Sequence, residues 1–298
     1  MSVMMAAYNT RDYIEDSVRS VLTQTFTNFE LLIIDDGSTD GTSDILRRLA
    51  ASDDRIRLTR RPNAGIVATR NELLEMAAGE FVAILDSDDL ALPRRLELSV
   101  DYLGRHPEVL AVGGQVEVID PDGDPLCRWQ LRQSHDEIDA QLLSGEDVAI
   151  CHSAATIRRD ALRAIGGYRD LDRFRGQAED FDLWLRLSER GPLINLPQPL
   201  VRYRLRLSSA SISGAQQQAA AGRVALADAR RRRGLPDVKE SGGSVQVESE
   251  TDLLLRWGWW ALGAGHVTVA RKHARRVLLT NPFAPKSWKL MLASLRGY

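Results

Sequence analysis

The sequence predicts an α/β fold, a mostly parallel sheet with helices on both faces. Three observations point to it. Short, nearly continuous apolar runs recur at residues 2–7, 29–34 and 80–85. The first two are followed by segments whose apolar residues return at helical spacing, as Ile14, Val18, Val21 and Leu22 do. Strand and helix alternate through the first 90 residues, which implies crossover connections, parallel pairing and a sheet covered on both faces.

The elements follow in order. "SVMMAA" (2–7) reads as the first strand, and the apolar series from Ile14 to Thr25 as the first helix. "FELLIIDDGSTDGT" (29–42) is a buried strand ending in Asp35 and Asp36, then turn chemistry, then a helix carrying Ile45 and Leu49. "RIRLTRR" gives a third strand, "NAGIVATRNELLEMAAG" a third helix closed by Gly79, and "EFVAILD" a fourth strand. A helix is expected from Pro93 to residue 105, then a strand at "VLAVGGQVEVID" and a turn at "PDGD". The regular alternation stops there. Residues 148–206 predict a strand around "VAICHSAATI", a turn at Gly166–Gly167, a helix through "EDFDLWLRLSERG" and an extended "PLVRYRLR". Residues 208–250 turn polar and biased in composition, with "SSASISG", "AQQQAAAG" and "KESGGSVQVESE".

At 298 residues and 44% apolar content, the chain can bury a sizeable core. It has no run of eighteen apolar residues and no basic segment leading into an apolar one at the N-terminus. Neither a membrane span nor a secretory signal is therefore expected, and a cytoplasmic location is the default. Cys127 and Cys151 lack the spacing of a redox pair or the number needed for a zinc site, and read as free thiols. Charge is uneven. No acid follows Asp252, while eight cations do, from Arg256 to Arg296. The rest of the chain is about ten charges negative, poor composition for a nucleic-acid surface.

In open α/β sheets ligands bind beyond the carboxyl ends of the strands. Asp35 and Asp36 after the second strand, and Asp86, Asp88 and Asp89 after the fourth, would share that edge. Carboxylates crowded this closely repel unless a cation sits among them. Mg2+ and Mn2+ favour oxygen ligands, take one or two protein carboxylates, and complete their shell with water and phosphate oxygens. An Asp-x-Asp at a strand end therefore suits a metal-bound diphosphate. Asp88 and Asp89 also read as caps of the following helix, with Pro93 in its first turn. "EDFDLW" has the acidic first-turn composition that a helix dipole favours, and "DDGSTDGT" reads equally as a tight turn before a capped helix.

"YN" at 8–9, "FELLIIDDGSTDGT", "NAGIVATRN", "GEFVAILDSDDLALP", "GGYRD" and "AEDFDLWLRL" occur in the order seen in glycosyltransferase family 2, the inverting GT-A enzymes that use nucleotide sugars. The chain resembles that family over residues 2–206. The resemblance implies a GT-A fold, Rossmann-like with flanking helices, in a catalytic domain at 1–236. Its nucleotide-binding half would be 1–106 and its acceptor half 107–236. A linker is expected at 237–250 and a basic helical region at 251–298.

By the same resemblance, Asp36 reads the nucleobase, a uracil imide in many members, with backbone near Ala6, Ala7 and Tyr8 closing over the ring. Arg70 faces the nucleotide and Asp86 sits near ribose. Asp88 binds Mn2+ or Mg2+, with Asp89 as a third member of the acidic set. Asp180 is the base that deprotonates the acceptor hydroxyl, with Glu179 beside it. His152 aligns near the donor sugar or acceptor, and a lone strand histidine also reads as structural. Two departures stand out. Pro is common in the family where Ala6 or Ala7 stands, an exchange expected to alter only a loop. Arg206 occupies a position where many relatives carry His; Arg is not a metal ligand, but it can hold phosphate oxygens. Trp184 is expected to pack in the core.

The implied activity moves one sugar from a nucleoside-diphosphate donor, UDP-linked, to a saccharide or lipid-linked acceptor in cell-surface polysaccharide or glycolipid synthesis. The Gln-x-x-Arg-Trp segment and membrane helices of processive synthases are absent, as is the glycine-rich phosphate loop of nucleotidyltransferases. The alternative is a non-catalytic nucleotide-sugar-binding or assembly protein on the same fold. Four acids together, Asp36, Asp86, Asp88 and Asp180, weigh against it. In the tail, Val267, Ala270, Ala274, Val277 and Leu278 form one helical face with cations opposite, and the pattern loosely resembles one tetratricopeptide helix pair. Such a pair cannot bury its own core and is expected to pack on the main domain. Trp257, Trp259 and Trp260 beside Arg256 make peripheral contact with an anionic membrane the other reading.

Overall fold

The structure, a computed structural model, describes residues 1–145, 148–171, 178–207, 215–236, 249–283 and 285–297. The segment "SSASISG" and all but the last two residues of the expected linker lie outside the described residues. These divide into two compact units, one drawn from 1–116, 131–201 and 217–241, the other from 117–130, 202–216 and 242–298.

In the first unit, β1 (Ser2–Ala7), β2 (Glu30–Asp35), β3 (Ile56–Arg60) and β4 (Phe81–Ile84) lie in the order β3-β2-β1-β4, all parallel. The connections are α1 (Ile14–Leu22), α2 (Thr42–Ala50) and α3 (Ile66–Met76). Register places Ala7 opposite Asp35 and Met4 opposite Ile84, so the strand ends carrying Ala7, Asp35–Asp36 and Leu85–Asp86 form one edge. The apolar runs are continuous because these strands are covered on both faces: Leu31 to Ile34 and Val82 to Leu85 are all at most 2% exposed.

The sheet continues past β4 through β8 (Thr156–Arg158) and β6 (Ala111–Ile119), each antiparallel to its predecessor, then β9 (Leu193–Arg204) and β5 (Leu90–Ala91). Around it lie α4 (Arg95–Arg105), α5 (His135–Ser144), α6 (Arg159–Ala164), α7 (Glu179–Ser188) and α8 (Ala215–Arg232). The strand expected around 148–157 is mostly a 3-10 turn at His152–Ala154, with β8 following it.

Two details correct the sequence reading. α3 ends at Met76, and Gly79 does not cap it. A Cβ on Gly79 would sit 2.5 Å from the Ser2 backbone nitrogen, so glycine there allows the chain to pass the start of β1. Likewise α4 begins at Arg95, with Arg94 at its N-cap position. Asp88 and Asp89 therefore cap no helix, and lie in the turn between β4 and β5 that closes with Asp89 N–H donating to the Asp86 carbonyl.

Arg95 lies at the base of that turn, 1% exposed. Its guanidinium donates to the carbonyls of Ile84 and, at 3.2 Å, Ala155, tying the end of β4 to the lead-in of β8. Burial lowers its pKa to about 10, while the nearby Asp89 and Asp86 carboxylates oppose that shift. Asp89 is equally buried, at 1% exposure. The third acid of the motif is thus a counter-charge for an arginine inside the protein.

The second unit contains β7 (Pro125–Trp129), which pairs with β6, and the helices α9 (Glu250–Gly263), α10 (Val267–Thr280) and α11 (Pro285–Arg296). Trp257, Ala261, Ala270, Ala274, Val277 and Leu290 form its interior. A Cβ on Gly258 would meet Leu290 at 2.4 Å, so glycine lets α9 and α11 approach closely. α9 also packs against β7, which supplies the partner that a lone helix pair would lack. Cys127 and Cys151 are free thiols.

Replacing Arg95 by Leu leaves Asp89 and two carbonyls without their buried partner. Chemical denaturation should show a loss of roughly 3–5 kcal/mol, the usual cost of breaking a buried pair. A loss below about 1 kcal/mol would show that the acidic turn does not depend on Arg95.

Candidate active site

Arg70, on α3, is at the centre of the first unit's acidic edge. Its side chain is 7% exposed and spans two carboxylates: one guanidinium nitrogen donates to Asp86 at 2.9 Å, the other to Glu179 at the start of α7. The Tyr168 ring lies 5.5 Å from the guanidinium carbon. Asn71, the next residue, receives the Tyr168 N–H at 2.8 Å and donates to the Tyr168 carbonyl at 2.9 Å. Two successive residues of α3 thus fix the fourth strand's end and the "GGYRD" loop. Gly166 and Gly167 have positive φ, and a Cβ on Gly167 would strike the Asn71 side chain at 2.5 Å.

α7 presents its acids from a constrained start. Ala178, the N-cap, takes a left-handed φ of 60°, rare for a residue with a Cβ. Asp182 is fully buried and accepts from Arg169 Nε at 3.0 Å and Arg186 Nε at 2.7 Å. Arg186 in turn donates to the carbonyls of Ile165 and Gly167. The helix is therefore locked to the loop that carries Tyr168.

One cation here faces three acids, Asp86, Glu179 and Asp180. Burial alone would lower the pKa of Arg70, but the Asp86 and Glu179 carboxylates outweigh it and hold the pKa above the usual arginine value. Burial alone would raise Asp86; Arg70, and a hydrogen bond from Ser153 Oγ at 3.1 Å, hold it below the usual carboxylate range. The remaining negative charge falls on the other two. Burial and the neighbouring Asp180 push Glu179 up to about 7, and burial raises Asp180. A carboxyl that holds its proton near neutrality beside a helix start is suited to proton transfer.

His152 lies under this cluster. Tyr168 Oη is 3.1 Å from its Nε2, and Trp184 packs edge-on at 5.6 Å, itself 2% exposed. Burial and the nearby Arg70 push the imidazole pKa well below its ordinary value, so it is neutral at pH 7.

At the other end of the edge, Asp36 accepts from the backbone N–H groups of Ala64 (3.0 Å) and Gly65 (2.9 Å), with Arg61 3.2 Å away. It fastens the "NAG" loop to the end of β2. Asp35 accepts from Ser38 N–H and Ser43 Oγ, and so holds its own turn. Ala6 and Ala7 close β1 rather than lie in a loop, and Ala7 O accepts from Asp36 N–H. Tyr8 is 51% exposed beside them. Asn9 adopts a φ of 51° and accepts from Thr39 N–H, joining the two loops at this edge.

Asp88 is half-buried in the turn after β4, next to Asp86. These hard carboxylate oxygens fit a divalent ion that completes its shell with phosphate and water. Arg206 follows β9 in the second unit; the cluster around Arg70 consists of first-unit residues alone. Asp120, Asp122 and Asp124, also in the second unit, bring their carboxylates within 4.8 Å of one another. Lys272 Nζ lies 2.5, 2.7 and 2.6 Å from them, so this set already holds a cation of the protein's own. Tyr168, Ser153 and Arg95 were not legible as site residues, because no spacing links them to the charged groups around Arg70 and Asp89.

The charge surplus makes stability depend on pH with a defined sign. Glu179 ionises near 4.5 when unfolded but only near 7 in the folded protein. The folded state therefore binds more protons between those values, and stability falls as pH rises through that window, by up to about 3 kcal/mol. Denaturation across pH 4–8 should show this slope in the wild type and a flatter one in Glu179→Gln. Identical slopes would contradict the assignment.

The family model for glycosyl transferase family 2 matches residues 2–166. The putative glycosyltransferase EpsE of Bacillus subtilis is 37% identical over 193 residues, 64% of this chain and 67% of that protein. The putative teichuronic acid biosynthesis glycosyltransferase TuaG of the same organism is 41% identical over 130 residues, 43% of this chain and 51% of that protein. Aligned segments thus span between about half and two thirds of these relatives' length. Among solved structures, S. aureus TarS 1-349 in complex with UDP-GlcNAc aligns over the whole chain and 88% of its own at 17% identity, with a TM-score of 0.56. The mannosyltransferase PcManGT of Pyrobaculum calidifontis, in complex with GDP-Man and Mn2+, aligns over 99% of this chain and 84% of its own at 20% identity, with a TM-score of 0.57. At that identity the likeness establishes the GT-A fold. With a family model matching more than half its length and relatives named as glycosyltransferases, the chain belongs to glycosyltransferase family 2.

Proposed function

We propose that the chain is a metal-dependent, inverting hexosyltransferase that moves one sugar from a nucleoside-diphosphate donor, UDP-linked, to a hydroxyl of a saccharide or lipid-linked acceptor. The observation that carries this reading is the Arg70 clasp, which joins Asp86 of the Asp-x-Asp turn to the start of the helix bearing Asp180. Donor acids and candidate base therefore share one electrostatic environment, in which Asp180 feels both Arg70 and Asp86.

In this scheme the nucleobase lies along Ala6, Ala7 and Tyr8, with Asp36 beneath it, and the ribose near Asp86. Asp88 would hold Mn2+ or Mg2+ with the donor diphosphate; the ion would offset charge building on the departing nucleoside diphosphate. Asp180 takes the proton from the acceptor hydroxyl as that oxygen attacks the anomeric carbon from the face opposite the leaving group, so the configuration inverts. Burial, Arg70 and Asp86 set the proton affinity of Asp180, and His152, held neutral, shapes the floor with Tyr168. The relative named for teichuronic acid biosynthesis supports an acceptor in cell-surface polysaccharide assembly, and the UDP-GlcNAc and GDP-Man complexes support a nucleotide-sugar donor.

Titration calorimetry with UDP, GDP and TDP, with and without Mn2+, tests the donor site. Binding should need the metal, favour UDP and fall at least about tenfold in Asp88→Asn. Asp180→Asn should bind the donor normally and lose at least about 100-fold in turnover, the usual contribution of a general base. Metal-independent binding, or a fully active Asp180→Asn, would sink the scheme.

A further inference from the structure

The second unit carries an apolar surface that its packing among the described residues does not use. α11 is occupied on one side: Ser287, Leu290 and Ser294 are buried, with Leu290 against Gly258. On the opposite side Trp288, Leu292 and Leu295 recur at the spacing of a single helical stripe and are 51%, 52% and 59% exposed. Phe283 and Leu279, just before the helix, are 93% and 85% exposed. Arg275, Lys289 and Arg296 are exposed in the same segment, as is Lys286 with Asp252 4.0 Å away, and no acid occurs from 253 to 298. The unit's own acids at 120, 122 and 124 are engaged by Lys272 and Arg276.

We infer that this face docks on an anionic lipid surface, with Phe283, Trp288, Leu292 and Leu295 in the headgroup boundary and the flanking lysines and arginines on lipid phosphates. Aromatic side chains with flanking cations are the composition such boundaries favour, and each cation adds to attraction by an anionic leaflet. A second copy of this chain fits the charge less well, because a two-fold contact through this face would set the same cations against each other. The contact residues differ from those the sequence suggested. Trp257 is fully buried against His273 and Trp260 lies beneath Arg256, so of the three tryptophans on α9 only Trp259 is exposed, at 37%. Among the described residues no helix is long and apolar enough to cross a membrane, so the contact would be peripheral.

The test is co-sedimentation of the full chain with vesicles of phosphatidylglycerol and phosphatidylcholine in equal parts, and with phosphatidylcholine alone, in about 20 mM salt, where charge is weakly screened. Binding to the anionic vesicles should be at least about tenfold stronger than to the neutral ones, and should fall as salt is raised. It should drop at least about tenfold in Trp288→Ser/Leu292→Ser and in Lys286→Glu/Lys289→Glu, while circular dichroism and melting temperature stay at wild-type values. Absence of binding, equal binding to neutral vesicles, or wild-type binding by both folded variants would overturn the inference. So would a concentration-dependent dimer, lost in Trp288→Ser/Leu292→Ser, without any vesicle binding; that result would assign the face to a second copy.

Discussion

The candidate site depends on one guanidinium held between two carboxylates. Arg70 reaches Asp86, at the end of β4, and Glu179, at the start of α7, and no shorter or less branched cation could donate to both in fixed directions. The two partners lie 93 residues apart in the chain, one in the turn after a parallel strand and the other at the start of α7. Asn71 adds two hydrogen bonds to Tyr168, and Asp182 with Arg169 and Arg186 completes the attachment of α7. Each contact is local in space and distant in sequence, so the site forms only when the fold is complete.

The cluster is also poorly neutralised, which sets it apart from the other charged sets in the molecule. Arg95 is enclosed by carbonyls and by the charge of Asp89, and Asp120, Asp122 and Asp124 share Lys272 and Arg276, with His273 also on Asp120. Those sets hold their own counter-charges, and Asp120 is held down at about 2, burial being outweighed by His273 and Lys272. Around Arg70 three acids share one cation, and burial, reinforced by the neighbouring carboxylates, raises the proton affinity of Glu179 and Asp180 against the pull of Arg70. An arrangement that costs stability at neutral pH yet supplies a proton acceptor beside the Asp-x-Asp turn is what acid–base chemistry requires.

Much of this was legible in the sequence, for physical reasons. Strands covered on both faces leave continuous apolar runs, so β1, β2 and β4 fell where the runs are, and their carboxyl ends placed Asp36, Asp86 and Asp88 on one edge. α5, α6 and β7 were not foreseen, because they are short and bury few apolar side chains, Ile138 and Leu142 in α5, Leu162 in α6 and Leu126 in β7, too few to establish a period. Gly79 looked like a helix cap and proved to be a close-approach position, a role that depends on a neighbour 77 residues away. Asp88 and Asp89 looked capable of capping α4; the structure puts a turn and β5 between them and that helix. Arg95 was not singled out, because nothing in a linear pattern distinguishes a buried arginine from an exposed one.

The clasp joins two regions that a purely local reading would treat separately, and it therefore predicts a response at a distance. Glu179 lies on α7, away from the Asp-x-Asp turn, but Arg70 transmits its charge to Asp86. The most direct measurement is the affinity of Glu179→Gln for UDP with Mn2+ by titration calorimetry. A shared guanidinium predicts weakening of at least about threefold, part of the roughly 1.5–3 kcal/mol held in a charged hydrogen bond. An affinity equal to that of the wild type, in a variant that is fully folded, would show that the two halves of the site are not coupled through Arg70.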